Sequence, residues 1–360
     1  MAKKKDRIIF HVDMDHFFTA IEEREHPEIR GRPVVVGADP KEGNGRGVVS
    51  TSNYEARKYG VKSGIPITRA WRLCPDAVYL PVNYRLYQKV SAQIMAILRS
   101  YADKFEGWGF DEAFLDMTQR TKGDYQEAEK LAQKIKKHIY EKERLTCSIG
   151  VGPNKLVAKI GSDFKKPDGL TIVRAEEAKA FLAPLNVRRL LWVGKKTEGR
   201  LNKLGIQTIG DLAEYDASVL VEKFGVAGTQ LYLSAQGIDN SEVQERWERK
   251  SMSREVTFEE DTSDLDLIFD TVDAISEDLH QELVASNFTF KTTTIKIRYE
   301  NFETHTHGKT LHFFTDRMKD IQKSSRELLQ DYLRSDRKVR LIGVRLSNLL
   351  STKKQTRLTG

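Results

Sequence analysis

The segment Phe110-Asp111-Glu112-Ala113-Phe114-Leu115-Asp116 limits what this chain can fold into more than any other. With Gly107-Trp108-Gly109 before it, the segment reads as two short strands and a tight hairpin, two adjacent carboxylates lying between aromatic residues. Burying unpaired charge is costly, so carboxylates on such a strand need a metal or a basic partner nearby. A second acidic strand end is present in Ile8-Ile9-Phe10-His11-Val12-Asp13-Met14-Asp15. With Asp13 facing Asp111 across a sheet, the two form an oxygen-lined site suited to Mg²⁺. Two-metal phosphoryl transfer requires that arrangement. A solvated turn carries the same residue types, and only the rest of the chain decides between the readings.

The 360 residues leave room for several domains and a sizeable core. Lys and Arg number 59 against 52 Asp and Glu, a net charge of +7, which favours a polyanionic partner. The excess is modest, so its placement matters more than its size. Cys74 and Cys147 are far apart, in apolar contexts, with no zinc or disulfide spacing, so a reducing compartment, the cytoplasm, is expected. No apolar run has the length of a membrane span and no signal region follows Met1-Ala2-Lys3, so no membrane partner is expected.

Taken in order, residues 7–13 form a strand ending at Asp13, and Phe17, Phe18, Ala20 and Ile21 begin a helix. Pro33–Gly37 and Gly47–Thr51 are short strands, and Asn53 caps a helix that stops at Gly60. On that helix Tyr54 and Arg57 are three residues apart and share a face. A hydroxyl and a guanidinium so placed can bind phosphate, although an ordinary surface helix offers the same pair. Long amphipathic helices over 84–104 and 126–143 flank the acidic hairpin; a strand at 146–151 and a helix from Asn154 follow. The expectation is an α+β sheet, antiparallel in part, with helices on one face and residues 17–83 inserted after the first strand.

From 186 to 240 short helices alternate with glycines. Leu190-Leu191-Trp192-Val193-Gly194-Lys195-Lys196 before Leu201–Ile206 resembles a helix-hairpin-helix, whose turn offers backbone N–H groups to a DNA phosphate, or else a generic αα-hairpin. Leu220–Gly228 is a poorer second copy. Residues 241–254 read as a basic linker, which leaves the domain after it mobile. Strands at 254–258, 292–299 and 340–346 with helices at 264–285 and 315–333 complete a second α+β domain. Lys296, Arg298, Arg340 and Arg345 recur at strand spacing, so one sheet face either tracks a phosphate backbone or is simply solvated, and Arg254 at the end of the basic linker is a further candidate DNA contact.

The ordered set Val12-Asp13-Met14-Asp15-His16-Phe17-Phe18, Ser50-Thr51-Ser52-Asn53-Tyr54-Glu55-Ala56-Arg57, Phe110–Asp116, Gly150-Val151-Gly152-Pro153-Asn154-Lys155 and Lys166-Pro167-Asp168-Gly169 resembles the DinB-type Y-family DNA polymerases, their archaeal branch in particular. The resemblance spans nearly the whole chain. It implies a right-hand polymerase with a palm (1–16 and 84–173), fingers (17–83), a helix-hairpin-helix thumb (174–240), the linker (241–254), a little finger (255–350) and a tail (351–360). It further implies a Mg²⁺-dependent enzyme that adds dNTPs to the primer of a primer–template DNA by low-fidelity translesion synthesis, without proofreading, and works as a monomer. By the same resemblance, two Mg²⁺ ions are held by Asp13, Asp111, Glu112 and the Met14 carbonyl. Thr51, Tyr54, Arg57 and Lys166 match triphosphate-binding positions, and Phe18 matches a steric gate against ribose.

Three positions depart from the family pattern. Gly109 stands where serine is common, which predicts a looser hairpin. His16 replaces a common tyrosine, which predicts nucleotide binding sensitive to pH near neutrality. Trp192 occupies a usual glycine position, leaving Gly194 to make the turn. Gln355-Thr356-Arg357-Leu358-Thr359-Gly360 looks like the start of a sliding-clamp-binding box without its aromatic pair, or a polar tail; in the first reading the native chain continues into two aromatics. Competing functions are a nucleotidyl cyclase or metal nuclease on the same palm, and a catalytically silent primer–template scaffold.

Overall fold

A computed structural model describes residues 7–245, 248–333 and 337–352. The tail stretch 355–360, read as a partial clamp-binding box, lies outside them. The chain divides into two compact units, residues 1–246 and 247–360.

The first unit is built on the sheet β5-β6-β1-β7-β8. Its elements are β1 (Ile9–Met14), α1 (Phe17–Glu25), β2 (Val34–Gly37), β3 (Val49–Ser52), α2 (Tyr54–Lys58), α3 (Ile67–Leu73), β4 (Val78–Leu80), α4 (Tyr84–Tyr101), β5 (Lys104–Trp108), β6 (Glu112–Asp116), α5 (Thr118–Thr121), α6 (Tyr125–Glu143), β7 (Cys147–Gly152), α7 (Lys155–Phe164) and β8 (Leu170–Ile172). Strand alternation divides β1 between two faces. Phe10, Val12 and Met14 join Ala113, Leu115 and Val151 against Tyr87, Val90, Ile94 and Leu98 of α4 and Ala132, Ile135 and Ile139 of α6. Each large side chain buried there contributes about 1.5–3 kcal/mol.

Helices were expected on one face only, and α7 overturns this. It lies on the opposite face, against β7 and β1, because Gly150 leaves no side chain in its way. A Cβ on Gly150 would stand 1.9 Å from the Ala158 carbonyl oxygen and 2.4 Å from the Ser162 nitrogen. Ile9, Phe114, Ala158 and Val243 form a small apolar cluster on this side. The three strands β3-β2-β4 make a separate sheet whose core is Val35, Val49, Ala56, Val61, Ile67, Ala70 and Cys74. Asn53 caps α2 as expected, accepting from the Ala56 N–H at 2.9 Å, and also accepts from Val34 N–H at 3.0 Å. Both cysteines are free and buried.

Five short helices follow: α8 (Ala178–Leu182), α9 (Lys195–Asn202), α10 (Ile209–Glu214), α11 (Ala217–Phe224) and α12 (Val226–Ala235). Gly225 joins α11 to α12 at φ 63, so the poorer second hairpin is present. The expected basic linker over 241–254 is shorter at both ends. Val243 is buried, Gln244 N–H donates to Glu106 at 2.8 Å, and Ser241 O accepts from Arg7 at 2.6 Å. These contacts hold residues 241–244 on the large sheet, and Ser251 already begins a strand.

The second unit consists of β9 (Ser251–Thr262), α13 (Leu265–Ala285), β10 (Phe288–Tyr299), β11 (Thr304–Thr315), α14 (Met318–Gln330) and β12 (Val339–Ser347), its sheet ordered β11-β10-β12-β9. The sequence reading has no counterpart for β11. That strand is polar and largely exposed because it is an edge paired with β10 alone, so it lacks an apolar alternation. Ile295, Ile297, Ile342, Val344 and Leu346 pack with Ile268, Val272, Ile275 and Leu279 of α13 and Ile321 and Leu329 of α14. Among the described residues no helix is long and apolar enough to cross a membrane.

Candidate active site

The carboxylates gather where β1 and β6 end. Asp13 is opposite Glu112 in the ladder, not opposite Asp111 as expected. Asp111 belongs to the three-residue hairpin 109–111, whose pairing closes at Trp108 and Glu112. Its carbonyl accepts from Met14 N–H at 2.9 Å, so Asp111 is fixed beside β1 through its backbone. Gly109 sits at φ 77, a region that suits glycine, and Ser91 on α4 donates to the Phe110 carbonyl at 2.6 Å. The turn that was expected to be loose uses glycine's freedom and is tied to a helix. Met14 buries its side chain and offers the site only its backbone.

His11 completes the cluster: one ligand atom each from His11, Asp13 and Glu112 lies within 4.8 Å of the others. The sequence reading missed it, although His11 and Asp13 are two apart on a strand and therefore share a face. His11 Nε2 is 3.1 Å from Glu112, and its Nδ1 is 2.7 Å from Ser162 Oγ on α7. Burial holds the imidazole down to about 4, so it is neutral at pH 7. Lys159, also missed, donates from α7 to Glu112. Its signal was helical spacing, since Lys155, Lys159 and Ser162 lie on successive turns.

The charges are unequally matched. Burial pushes Asp13 up to about 7, against the pull of Lys166, whose ammonium is 2.7 Å away. Burial and then Glu112 push Asp111 up to about 6. Burial acts upward on Glu112 too, but hydrogen bonds from His11 and Lys159 bring it down to about 2. Lys166 is desolvated, yet Asp13 and Asp163, 3.1 Å away, raise it above the usual lysine range. Burial thus holds two of the three carboxylates above the usual carboxylate range, Asp13 in spite of Lys166, and their hard oxygens are the donor set that Mg²⁺ accepts.

Tyr54, Arg57 and Lys166 are brought to one side of this cluster. The Arg57 guanidinium lies over the Tyr54 ring at 4.8 Å, and the Tyr54 hydroxyl donates to Asp15 at 3.4 Å. Asp15 is almost fully buried and accepts from Thr146, Ser148 and the Asp168 N–H, each at 2.8 Å. It therefore orders both Tyr54 and the loop bearing Lys166. Thr51 lies on β3 paired with Val36. His16 is set edge-on to Tyr54, ring centroids 5.1 Å apart. Burial holds His16 down to about 4, so its imidazole is neutral through the physiological range with no nucleotide beside it. Phe18 is half-buried, stacked on Tyr87 with centroids 4.2 Å apart and edge-on to Phe110 at 6.0 Å.

In the 190–239 region the turn is made by Trp192, at φ 71, not by Gly194, which takes an extended φ of −85 as the cap of α9. A non-glycine residue in that region costs about 1–2 kcal/mol. Gly194, Lys195 and Lys196 are exposed at the start of α9. On the second unit, Lys296, Arg298 and Arg345 share the sheet face away from the helices, Lys296 paired to Glu255 at 2.8 Å. Arg254 does not join them. It is in register with buried Val344 and Ile295, and it reaches Glu282 of α13 at 2.5 Å. Arg340 falls at a register irregularity and pairs with Asp261 at 3.5 Å over the Phe302 ring.

Residues 12–163 match the impB/mucB/samB family and 249–359 its C-terminal domain, while 190–239 match a thumb domain described for DNA polymerase-iota. The chain is 50% identical over 343 residues to DNA polymerase IV of Methanoculleus marisnigri, covering 95% of this chain and 94% of the relative. It is 47% identical over 343 residues to DNA polymerase IV 2 of Methanosarcina mazei, covering 95% and 92%. Among solved structures, a Y-family DNA polymerase chimera built on Dbh superposes with a TM-score of 0.88 at 34% identity, over 96% of this chain and 99% of the chimera. An insertion ternary complex of Dbh DNA polymerase gives 0.68 at 34% identity over the same shares, 96% and 99%.

Proposed function

The chain belongs to the Y-family DNA polymerases of the DNA polymerase IV (DinB) type and is a translesion DNA polymerase, and on that premise we propose which of its residues carry nucleotidyl transfer. Enzymes of this family are metal-dependent. The observation that carries the reading is the crowding of Asp13 and Glu112 with the backbone-anchored Asp111, where burial raises two of the carboxyls even with Lys166 beside Asp13. Asp13, Asp111, Glu112 and the Met14 carbonyl would hold two Mg²⁺ ions. Bound there, they supply a lowered pKa at the primer 3′-hydroxyl and neutralise the triphosphate and departing pyrophosphate. The chain's own side chains have the task of positioning. Tyr54 and Arg57, with Thr51, would hold triphosphate oxygens, Asp15 keeping Tyr54 in place. Lys166 would exchange Asp13 for the same phosphates, and Lys159 would keep Glu112 ionised and aimed at the primer end.

The domain divisions given above accompany this reading, with the linker confined to the residues between Gln244 and Ser251. Gly194, Lys195 and Lys196 would meet phosphates of the primer–template, as would Lys296, Arg298 and Arg345, by contacts that carry no sequence information. Sliding-clamp binding is proposed for a chain in which the box begun at 355–360 carries its aromatic pair, and pull-down of such a chain with a sliding clamp tests it.

Primer extension on an undamaged template, with Mg²⁺ and each dNTP singly, tests the reading. Addition of only the complementary dNTP, abolished by EDTA, supports it. Tight primer–template binding without extension would leave a silent scaffold. Phe18 is proposed as the steric gate. Phe18→Ala removes the ring stacked on Tyr87 and opens space beneath the sugar, so ribonucleotide insertion is expected to rise by roughly 10²-fold relative to deoxyribonucleotide. Competition between rNTP and dNTP measures this, and unchanged sugar discrimination would remove Phe18 from the role.

A further inference from the structure

Trp192 has no part in the site described above, and its placement is unusual on two counts. Its indole is 81% exposed, and its backbone stands at φ 71, where a side chain is strained. Trp108 is its aromatic neighbour, ring centroids 6.3 Å apart and planes at 47°. Trp108 in turn lies edge-on to Phe114 at 5.6 Å, has the Lys155 ammonium 5.5 Å from its ring, and is the ladder partner of Glu112. A line of aromatic rings thus runs from the carboxylate strand to the 190–194 turn and ends in an open indole. Immediately beyond it, Gly194, Lys195 and Lys196 expose the first turn of α9.

We propose that Trp192 is a DNA-contacting residue whose indole lies against the sugars and base edges of the primer strand as that strand leaves the carboxylates. Lys195, Lys196 and the first amides of α9 then take the neighbouring phosphates. The inference rests on the polymerase reading and deepens it. An aromatic face accepts any nucleotide, as a polymerase requires, because stacking does not read sequence. The surroundings select a polyanion: two exposed lysines and a helix N-terminus follow a single exposed ring in the chain, whereas a protein partner would need a broad apolar patch. Continuity through Trp108 to Glu112 selects the strand, since the proposed primer end lies at Glu112.

The test compares the wild type with Trp192→Gly and Trp192→Phe for primer–template affinity by fluorescence anisotropy over a salt series, and for thermal unfolding. Glycine relieves the strained turn, so Trp192→Gly is expected to unfold at the same or a higher temperature. It is nevertheless expected to loosen primer–template binding roughly tenfold, with the salt slope unchanged because no charge is removed. It should also add fewer nucleotides per binding event, and Trp192→Phe should restore most of the affinity. A Trp192→Gly protein that binds as tightly as a wild type that extends primers overturns the inference. A wild type that neither binds nor extends them overturns the polymerase reading instead.

Discussion

Replacing Asp111 by Ala is expected to abolish template-directed extension, lowering its rate by about 10³-fold or more, and Asp13→Ala is expected to do the same. Each change removes a carboxylate from the set that would hold the proposed Mg²⁺. The loss is several kcal/mol of transition-state charge stabilisation, and every 1.36 kcal/mol is about tenfold in rate. Neither change should unfold the protein. Asp13 and Asp111 are both raised by burial and by their acidic neighbours, so in the absence of metal their charged forms destabilise the native state. Their removal should leave the melting temperature equal or higher, and primer–template binding should persist. Single-turnover extension beside a binding assay and a melt separates the outcomes. Wild-type rates in both variants would mean that the active site lies elsewhere.

Glu106→Ala is expected to cost about 3–5 kcal/mol of stability, because it strands a buried ammonium. Lys155 Nζ donates to both Glu106 oxygens, at 2.7 and 2.8 Å, with Glu106 fully buried and Lys155 nearly so. The same carboxylate accepts from Gln244 N–H, so the change also frees the 241–244 segment from the sheet. Thermal and urea unfolding read the loss, expected near 10 °C for a unit of this size. Glu106→Leu combined with Lys155→Met should recover most of it, since no charge then remains unpaired. If Glu106→Ala melts like the wild type, water reaches the lysine and the pair is not a buried one.

The acidic hairpin, the order of palm elements and the Asn53 cap were legible in the sequence because each rests on local signals: alternation, glycine at a turn, an asparagine before an amphipathic run. The convergence of Tyr54, Arg57 and Lys166 was legible only through the resemblance, since nothing in their spacing links residue 57 to 166. His11 and Lys159 were not found, because the parity of His11 with Asp13 and the helical spacing of Lys159 gain meaning only once α7 is known to cross the strand. Trp192 broke the glycine rule at its turn, and sequence reasoning shifted the turn to Gly194 instead of accepting the strain. Arg254 was read as a DNA contact from the basic charge at the end of the linker. It lies in β9, where parity puts it on the helix-covered side of the sheet, with Glu282. Residues 241–254 looked like a linker from their charge, but one apolar residue, Val243, and a backbone bond to Glu106 were enough to pin 241–244.

The close approach of α7 to Gly150 bears on how this protein tolerates genetic variation. With 1.9 Å between a would-be Cβ and the Ala158 carbonyl, any side chain at Gly150 lifts the helix that delivers Lys159 and Ser162 to Glu112 and His11. A saturation library scored only for lesion-bypass phenotype would therefore return the same blank row at Gly150 as at Asp13. Scoring cellular abundance in parallel separates them: variants at Gly150 disappear from the soluble pool, whereas those at Asp13 accumulate as intact, silent protein. Intolerance at the two positions has opposite origins, and a ranking by phenotype alone would merge the scaffold with the chemistry.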